Sequence, residues 1–114
     1  NKMGRVVMVK EALELLKLEE NFEGSYVIKV NDEHAPWNNT SFKLNCKDNR
    51  LIVNETNEKE DFEVSIQRLS QLILGHVSGK EAIKLELIKT INQDKEKLLN
   101  KTFSKRTTML WQEF

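Results

Sequence analysis

The spacing of apolar residues along the chain changes from a strand-like to a helix-like period. Arg5–Val9 is mostly apolar and β-branched, and VKEALELLKLEE after it repeats apolar residues at helical spacing. After Gly24, every second residue of SYVIKVN is apolar, and TSFKLNCK, RLIVN and FEVSI continue the alternation. Asp48 and Asn49 tolerate the positive φ of a two-residue hairpin turn, so their flanking strands are expected to pair antiparallel. The pattern predicts a strand, a helix and then four strands.

The second half of the chain carries helix start and stop signals. Ser65 is placed to cap a helix that Gly75 ends. Ser78–Glu81 has the capping-box pattern in front of a predicted helix through Ala82–Ile88. A last helix is expected from about Asp94 to Phe103. Strands followed by helices indicate an α+β fold, with a mainly antiparallel five-stranded sheet covered on one face by helices.

Length, charge and cysteine content narrow the possible classes of protein. The 114 residues fit a single domain, 1–114, and the chain starts at Asn1 rather than Met, so we expect a fragment of a longer protein. Its 18 basic and 18 acidic residues cancel, which disfavours nucleic acid and anionic membranes as partners.

Cys46 is the only cysteine and lies on the apolar side of its predicted strand. Without a secretory signal or a spanning apolar run, a cytoplasmic location is expected.

Few residues indicate a catalytic, cofactor or metal site within this chain. GHVSGK, residues 75–80, resembles a phosphate-binding loop only faintly, and a helix stop followed by a helix start explains it better. His34 and His76 are the only histidines and lack further ligands at workable spacing, so no metal site is expected. Trp37, in APWNN, either plugs the end of the sheet or lines a pocket or a domain interface.

Four segments of the chain resemble a single protein family. They are GRVVMVKEALELL, VIKVNDEHAPWNNTSFKL, LSQLILGHVSGKEAIKLELI and TFSKRTTMLWQEF. In this order they are similar to the C-terminal, sterol-carrier-protein-like domain of the enhanced intracellular survival (Eis) type N-acetyltransferases. The most distinctive parts are the D-x-x-A-P-W-N-N loop, the LSQL-x-x-G motif and the end of the chain, where an aromatic residue is followed by an acidic residue and a final Phe. The resemblance implies that GNAT domains upstream bind acetyl-CoA and acetylate an amine substrate, that the protein forms a homo-oligomer, and that the isolated domain is inactive.

The resemblance also implies a catalytic role for the end of the chain. In that family the terminal carboxylate is the general base, and the matching position here is Phe114. An α-carboxyl titrates near ~3.5, and burial beside aromatic rings raises its pKa, which makes it a better base at neutral pH. Trp111, Glu113 and Trp37 are expected to contact the substrate. Relatives often carry a proline where this chain has Thr107–Thr108, so the placement of the tail is expected to differ.

Two other kinds of function fit the same resemblance. Sterol-carrier folds in other proteins enclose a lipid cavity, but a fold does not transfer its function. The domain could also be architectural, with Trp37 and Trp111 as interface anchors.

Overall fold

A computed structural model describes residues 8–18 and 21–104. Within these ranges the chain forms four α-helices, five strands and a short 3-10 helix. In chain order they are α1 (Val9–Glu14), β1 (Gly24–Asn31), β2 (Ser41–Lys47), β3 (Arg50–Glu55), β4 (Phe62–Ser65), α2 (Ile66–Ile73), α3 (Gly79–Lys84), β5 (Lys89–Thr90), the 3-10 helix (Gln93–Lys95) and α4 (Glu96–Thr102).

The strands form one mixed sheet in the order β3-β2-β1-β4-β5. The pairs β1–β2, β2–β3 and β4–β5 are antiparallel, whereas β1 and β4 run parallel. Asp48 and Asn49, at φ 55° and 60°, make the predicted two-residue turn between β2 and β3. The predicted α+β fold with a mainly antiparallel five-stranded sheet is confirmed.

The helix α1 begins at Val9, the first residue of the predicted helical repeat, so the predicted strand does not include Val9. Its N–H donates to Asn38 Oδ1 at 3.1 Å, while Met8, the residue before the helix, makes no side-chain cap bond. The cap therefore comes from a residue 29 positions away, which no local pattern could reveal. The remainder of that predicted strand, residues 5–7, lies outside the described residues.

The prediction was also wrong about the segment after α3. The expected helix through Ala82–Ile88 ends at Lys84, and Glu86 adopts a φ of 58°, in the left-handed region that a helix cannot continue through. The chain then reverses into β5, which pairs with β4. The prediction did not include β5, which follows directly after the segment that was expected to be helical.

Several predicted helix boundaries are confirmed. The Ser65 hydroxyl accepts the N–H of Arg68 at the start of α2, and Gly75, at φ 81°, follows its end. Ser78 and Glu81 form a complete capping box before α3. The last predicted helix is present as the 3-10 turn and α4.

The hydrophobic core lies between the sheet and the helices. Alternate residues of β1 to β4 point into it, together with the apolar residues of the helices. Its largest fully buried side chains are Tyr26, Phe62, Phe103, Leu13, Ile28, Leu44, Ile66, Leu69, Leu72 and Leu99. Tyr26 and Phe62 meet edge to face across β1 and β4, with ring centroids 5.8 Å apart. The parallel pair of strands therefore passes through the centre of the core.

Asp61, the residue before β4, bonds to β1 and to the segment after β5. Its Oδ2 accepts the N–H of Val27 and its own N–H donates to the Val27 carbonyl, both at 2.8 Å. Its Oδ1 accepts from Asn92 Nδ2 at 3.1 Å, and its carbonyl accepts the N–H of Ile91 at 2.8 Å. One carboxylate thus ties β1 to the start of β4 and to the segment after β5.

The helices α3 and α4 meet end to end. The N–H of Gly79 donates to the Phe103 carbonyl at 2.7 Å, so a free donor of one helix start pairs with a free acceptor of the other helix end. A Cβ on residue 79 would lie 2.8 Å from the Leu99 carbonyl oxygen. Since Phe103 is also fully buried, the end of the described chain is held in place by both its backbone and its side chain.

Candidate functional site

The loop between β1 and β2, residues 32–40, contains the most distinctive sequence motif and is organised around Asp32. This carboxylate is buried, and its Oδ1 accepts the N–H groups of His34 at 3.0 Å and Ala35 at 3.2 Å. The N–H of Asp32 donates in turn to Asn39 Oδ1 at 3.0 Å. Asp and Asn are suited to such turns because their side chains bond nearby backbone groups.

Asn38 connects this loop to the first helix. Its side chain is only 1% exposed. The amide oxygen accepts the N–H of Val9, and Nδ2 donates to Asp32 Oδ2 at 3.1 Å. Both ends of the amide are therefore used, and the start of α1 is held against the loop.

Trp37 is the large side chain that this loop presents at the surface. Asp32, Ala35 and Asn38 are buried and build the loop, whereas Trp37 is 53% exposed. A ring that plugged the end of the sheet would be buried, so that interpretation of Trp37 does not hold. A contact with a ligand or a partner remains as its functional interpretation.

Beside the ring lies a cavity of about 150 Å³, here called the Trp37 cleft. It forms where the start of α1, the loop, the start of β2 and the end of β3 come together. Its lining residues are Met8, Val9, Lys10, Glu11, Trp37, Asn38, Phe42 and Glu55. Phe42 and Val9 are buried beneath it, while Met8, Glu11 and Glu55 are exposed.

The charge of the Trp37 cleft is negative. Glu11 and Glu55 contribute two carboxylates. Lys10 also lines it, but its ammonium group is bonded to Glu14 Oε1 at 3.2 Å, and Glu14 is not a lining residue. An aromatic face and methionine beside two carboxylates form a surface suited to an organic cation.

Sequence reasoning missed Glu11 and Glu55, although one of them had a signal. In β3 the inward positions are Leu51, Val53 and then Glu55, because Glu55 pairs directly with the buried Phe42. A carboxylate at an inward position of a strand is unusual and could have been recognised. Glu11 had no such signal, since acidic residues are common in the first turn of a helix.

The other predicted site residues, Trp111, Glu113 and Phe114, lie outside the described residues. Cys46 is buried, and burial raises the pKa of its thiol, so it has the character of an unreactive core residue. Among residues 8–18 and 21–104, no three His, Cys, Asp or Glu side chains are arranged to hold a metal ion.

The GHVSGK segment uses its own backbone donors. The N–H groups of residues 75 to 77 donate to carbonyls of α2, and that of Ser78 donates to Glu81 Oε1. The N–H of Gly79 is bonded to Phe103. A phosphate loop needs such N–H groups free to bind the anion. The interpretation as a helix stop and start is therefore supported, and a phosphate-bearing cofactor does not fit here.

Residues 9–111 match the family described as the sterol carrier protein domain. The chain belongs to this family. No curated protein is significantly similar to it in sequence. Within the part of the chain that the structure describes, no helix has the length and apolar character needed to cross a membrane.

Solved structures with this domain fold belong to much longer proteins. A GCN5-related N-acetyltransferase from Anabaena variabilis has a TM-score of 0.80 at 18% identity, over 90% of this chain and 26% of that one. A probable N-acyltransferase from Enterococcus faecalis gives 0.76 at 19% identity, over 85% and 25%. Eis1 from Mycobacterium abscessus gives 0.69 at 21%, over 88% and 24%. The sterol-carrier-domain chain thus spans about a quarter of these proteins.

Proposed function

We propose that this sterol carrier protein domain is the C-terminal part of an Eis-type, GNAT-class N-acetyltransferase that acts on amines. The observation that carries the proposal is the common fold, found with TM-scores of 0.69 to 0.80 in three longer proteins: a GCN5-related N-acetyltransferase, a probable N-acyltransferase and Eis1. The family match over residues 9–111 supports the domain assignment. Acetyl-CoA is then held by the other domains, in agreement with the occupied backbone donors of residues 75–79.

In this proposal the terminal carboxylate of Phe114 takes the proton from the attacking amine. A base must be positioned to a fraction of an ångström, so its support has to begin from a rigid point. The described structure supplies one, since the carbonyl of Phe103 is held by Gly79 and its ring is buried. Ten residues follow Ser104 (114 − 104), and ten extended residues reach at most about 35 Å. In this proposal the carboxylate therefore lies within about 35 Å of Ser104.

Of the other residues predicted to contact the substrate, Glu113 and Trp111 belong to the end of the chain and Trp37 belongs to the described structure. Glu113 is proposed to hold the cationic amine and Trp111 to anchor the tail. Trp37 cannot hold a complete substrate alone, because its cleft of about 150 Å³ is half the roughly 300 Å³ at which small-molecule sites begin. The proposed substrate pocket therefore lies at the tail and the other domains.

The test is to add one glycine after Phe114 in the acetyltransferase that carries this domain. Because general-base catalysis contributes roughly 10² to 10⁴ in rate, kcat is expected to fall by about 10² or more, with a smaller change in KM. The matched control inserts one glycine between Asn57 and Glu58, both exposed, where turnover should be unchanged. Full turnover in the extended protein would exclude Phe114 as the base.

A further inference from the structure

We propose that the Trp37 cleft is a docking site for one lysine or arginine side chain of a protein partner. The inference depends on the described residues alone and not on acetyl transfer. It gives the exposed Trp37 ring, Glu11 and Glu55 a common role that neither the family match nor the related structures assign. Trp37 would then anchor an interface instead of contacting a substrate directly.

The size of the cleft selects a single side chain. Sites for whole small molecules occupy about 300 to 1,000 Å³ and enclose most of the ligand. The Trp37 cleft holds about 150 Å³ and is open along one side. It can take the extended stem of one long side chain, and the remainder of such a ligand would have to lie outside it, as the backbone of a partner protein would.

The arrangement of apolar and charged groups selects a basic side chain. Phe42 and Val9 form a buried apolar floor, Met8 is 45% exposed beside them, and the carboxylates of Glu11 and Glu55 are exposed. Lysine and arginine lay their aliphatic stems on apolar surface while their charged ends stay in contact with water or an acid. A cation over the face of a tryptophan gains a further cation–π attraction.

The rigidity of the loop favours this role over that of an adaptable surface. Asp32 and Asn38 use their side-chain atoms to hold the loop and the start of α1, so Trp37 is presented from a preformed backbone. Binding to a preformed site loses less conformational entropy than binding to a mobile one. Tryptophan and arginine are also the residues most enriched at interface hot spots.

The experiment titrates the 114-residue chain with two probes that have the same four-carbon side chain and differ by the terminal ammonium group. The probes are N-acetyl-lysine N-methylamide and N-acetyl-norleucine N-methylamide, and the readout is the NMR shift of the Trp37 indole N–H, assigned with the Trp37→Phe variant. The lysine probe should give saturable, millimolar binding, and the norleucine probe should bind at least about fivefold more weakly, as expected for loss of one exposed ion pair. Equal binding of the two probes, or no binding of either, would overturn the proposal.

Three variants locate the binding. Glu11→Gln and Glu55→Gln keep the shape of exposed side chains, and together they should weaken the lysine probe by about tenfold. Glu33→Gln is the matched control, because it removes an exposed carboxylate of the β1–β2 loop that does not line the cleft.

Butylammonium, which lacks the backbone amides, distinguishes a free amine from a protein side chain. If it bound more tightly than the lysine probe, a small amine and not a protein would be the occupant.

Discussion

At the scale of single residues, Asn38 connects the loop that presents Trp37 to the helix that forms the other wall of the cleft. Its amide oxygen takes the N–H of Val9, and its amide nitrogen donates to the buried carboxylate of Asp32. Removing this side chain would leave a buried donor without its acceptor and a buried acid without one of its donors. Such buried groups destabilise the folded state, because they have lost their hydrogen bonds to water without gaining a partner in the protein.

We therefore expect Asn38→Ala to lower the free energy of unfolding by about 2 to 4 kcal/mol. Urea denaturation followed by circular dichroism measures this change. Asn57→Ala, at an exposed asparagine, is the control and should alter stability by less than about 0.5 kcal/mol. A loss of under 1 kcal/mol in Asn38→Ala would show that the loop and α1 are held by other contacts.

The sequence predicts the hydrogen bonds within the loop of this site better than the contact between the loop and α1. Asp32 and Asn39 bond within their own loop, which is the behaviour expected of these residue types. The bond from Val9 to Asn38 spans 29 residues and depends on how the strands place the loop, so local reasoning could not find it. For the same reason the exposure of Trp37 became visible only once the fold was known.

At the scale of elements, α1 protects the outer edge of the sheet. β3 is an edge strand, and the N–H of Val53 points away from β2. Glu14 Oε2 accepts this N–H at 3.0 Å, and the backbone bond is the main reason that the pKa of Glu14 is lowered; its pairing with Lys10 acts in the same direction. A free strand edge is a site for unwanted pairing with other chains, so a carboxylate that occupies it protects the protein.

The lowered pKa gives a prediction for stability against pH. The folded state binds protons to Glu14 less readily than the unfolded state does, so its contribution is present above the ordinary pKa of 4.5 and is lost as the pH falls below it. The Glu14→Gln variant keeps a hydrogen-bond acceptor at this position, but the acceptor does not titrate. Between about pH 5 and pH 3 its free energy of unfolding should therefore fall less than that of the wild type. The difference should be under about 1 kcal/mol, because the group is exposed. Urea denaturation across this pH range measures it, with Glu11→Gln as the control from the same helix. If the free energy of unfolding falls equally in the wild type and in Glu14→Gln between about pH 5 and pH 3, the prediction is wrong.

Elements whose signals are local were predicted correctly, whereas those that depend on distant partners were not. The hairpin of β2 and β3 and the caps at Ser65 and Ser78 are each defined by a few neighbouring residues. β5 is only two residues long, and its conformation depends on pairing with β4 and on the left-handed Glu86. An apolar pattern alone therefore favoured a longer helix.

At the scale of the whole molecule, the contact of α3 with α4 holds the last described part of the chain in place. Gly79 allows the two helix ends to approach closely, because a Cβ there would press on the Leu99 carbonyl at 2.8 Å. That neighbour is backbone and cannot rotate away. Any larger residue must push α4, and with it the start of the segment that follows Ser104.

Gly79→Ala tests this contact. Alanine would gain roughly 1 kcal/mol in helix propensity, but overpacking costs about 1 to 3 kcal/mol and the bond to Phe103 is weakened, so a net loss of about 1 to 2 kcal/mol is expected. Thermal or urea unfolding measures it. Lys80→Ala, at the next and exposed position, should change stability by less than about 0.5 kcal/mol. If Gly79→Ala is as stable as the wild type or more so, then the two helix ends can separate without loss.

The parallel pairing of β1 with β4 has a consequence for the order in which the chain acquires its structure during synthesis. Val27 bonds to Asp61, 34 positions further along the chain, whereas β2 and β3 are separated by a two-residue turn and can pair as soon as both exist. The core also includes Leu99 of α4 and Phe103 directly after it, both fully buried. On the ribosome, β1 therefore lacks its parallel partner until β4 is made, and the core lacks the side chains of α4 and Phe103 until the last described residues are made. Stability should appear late and all at once, so a nascent chain halted before residue 103 would be the form most exposed to chaperones and proteases.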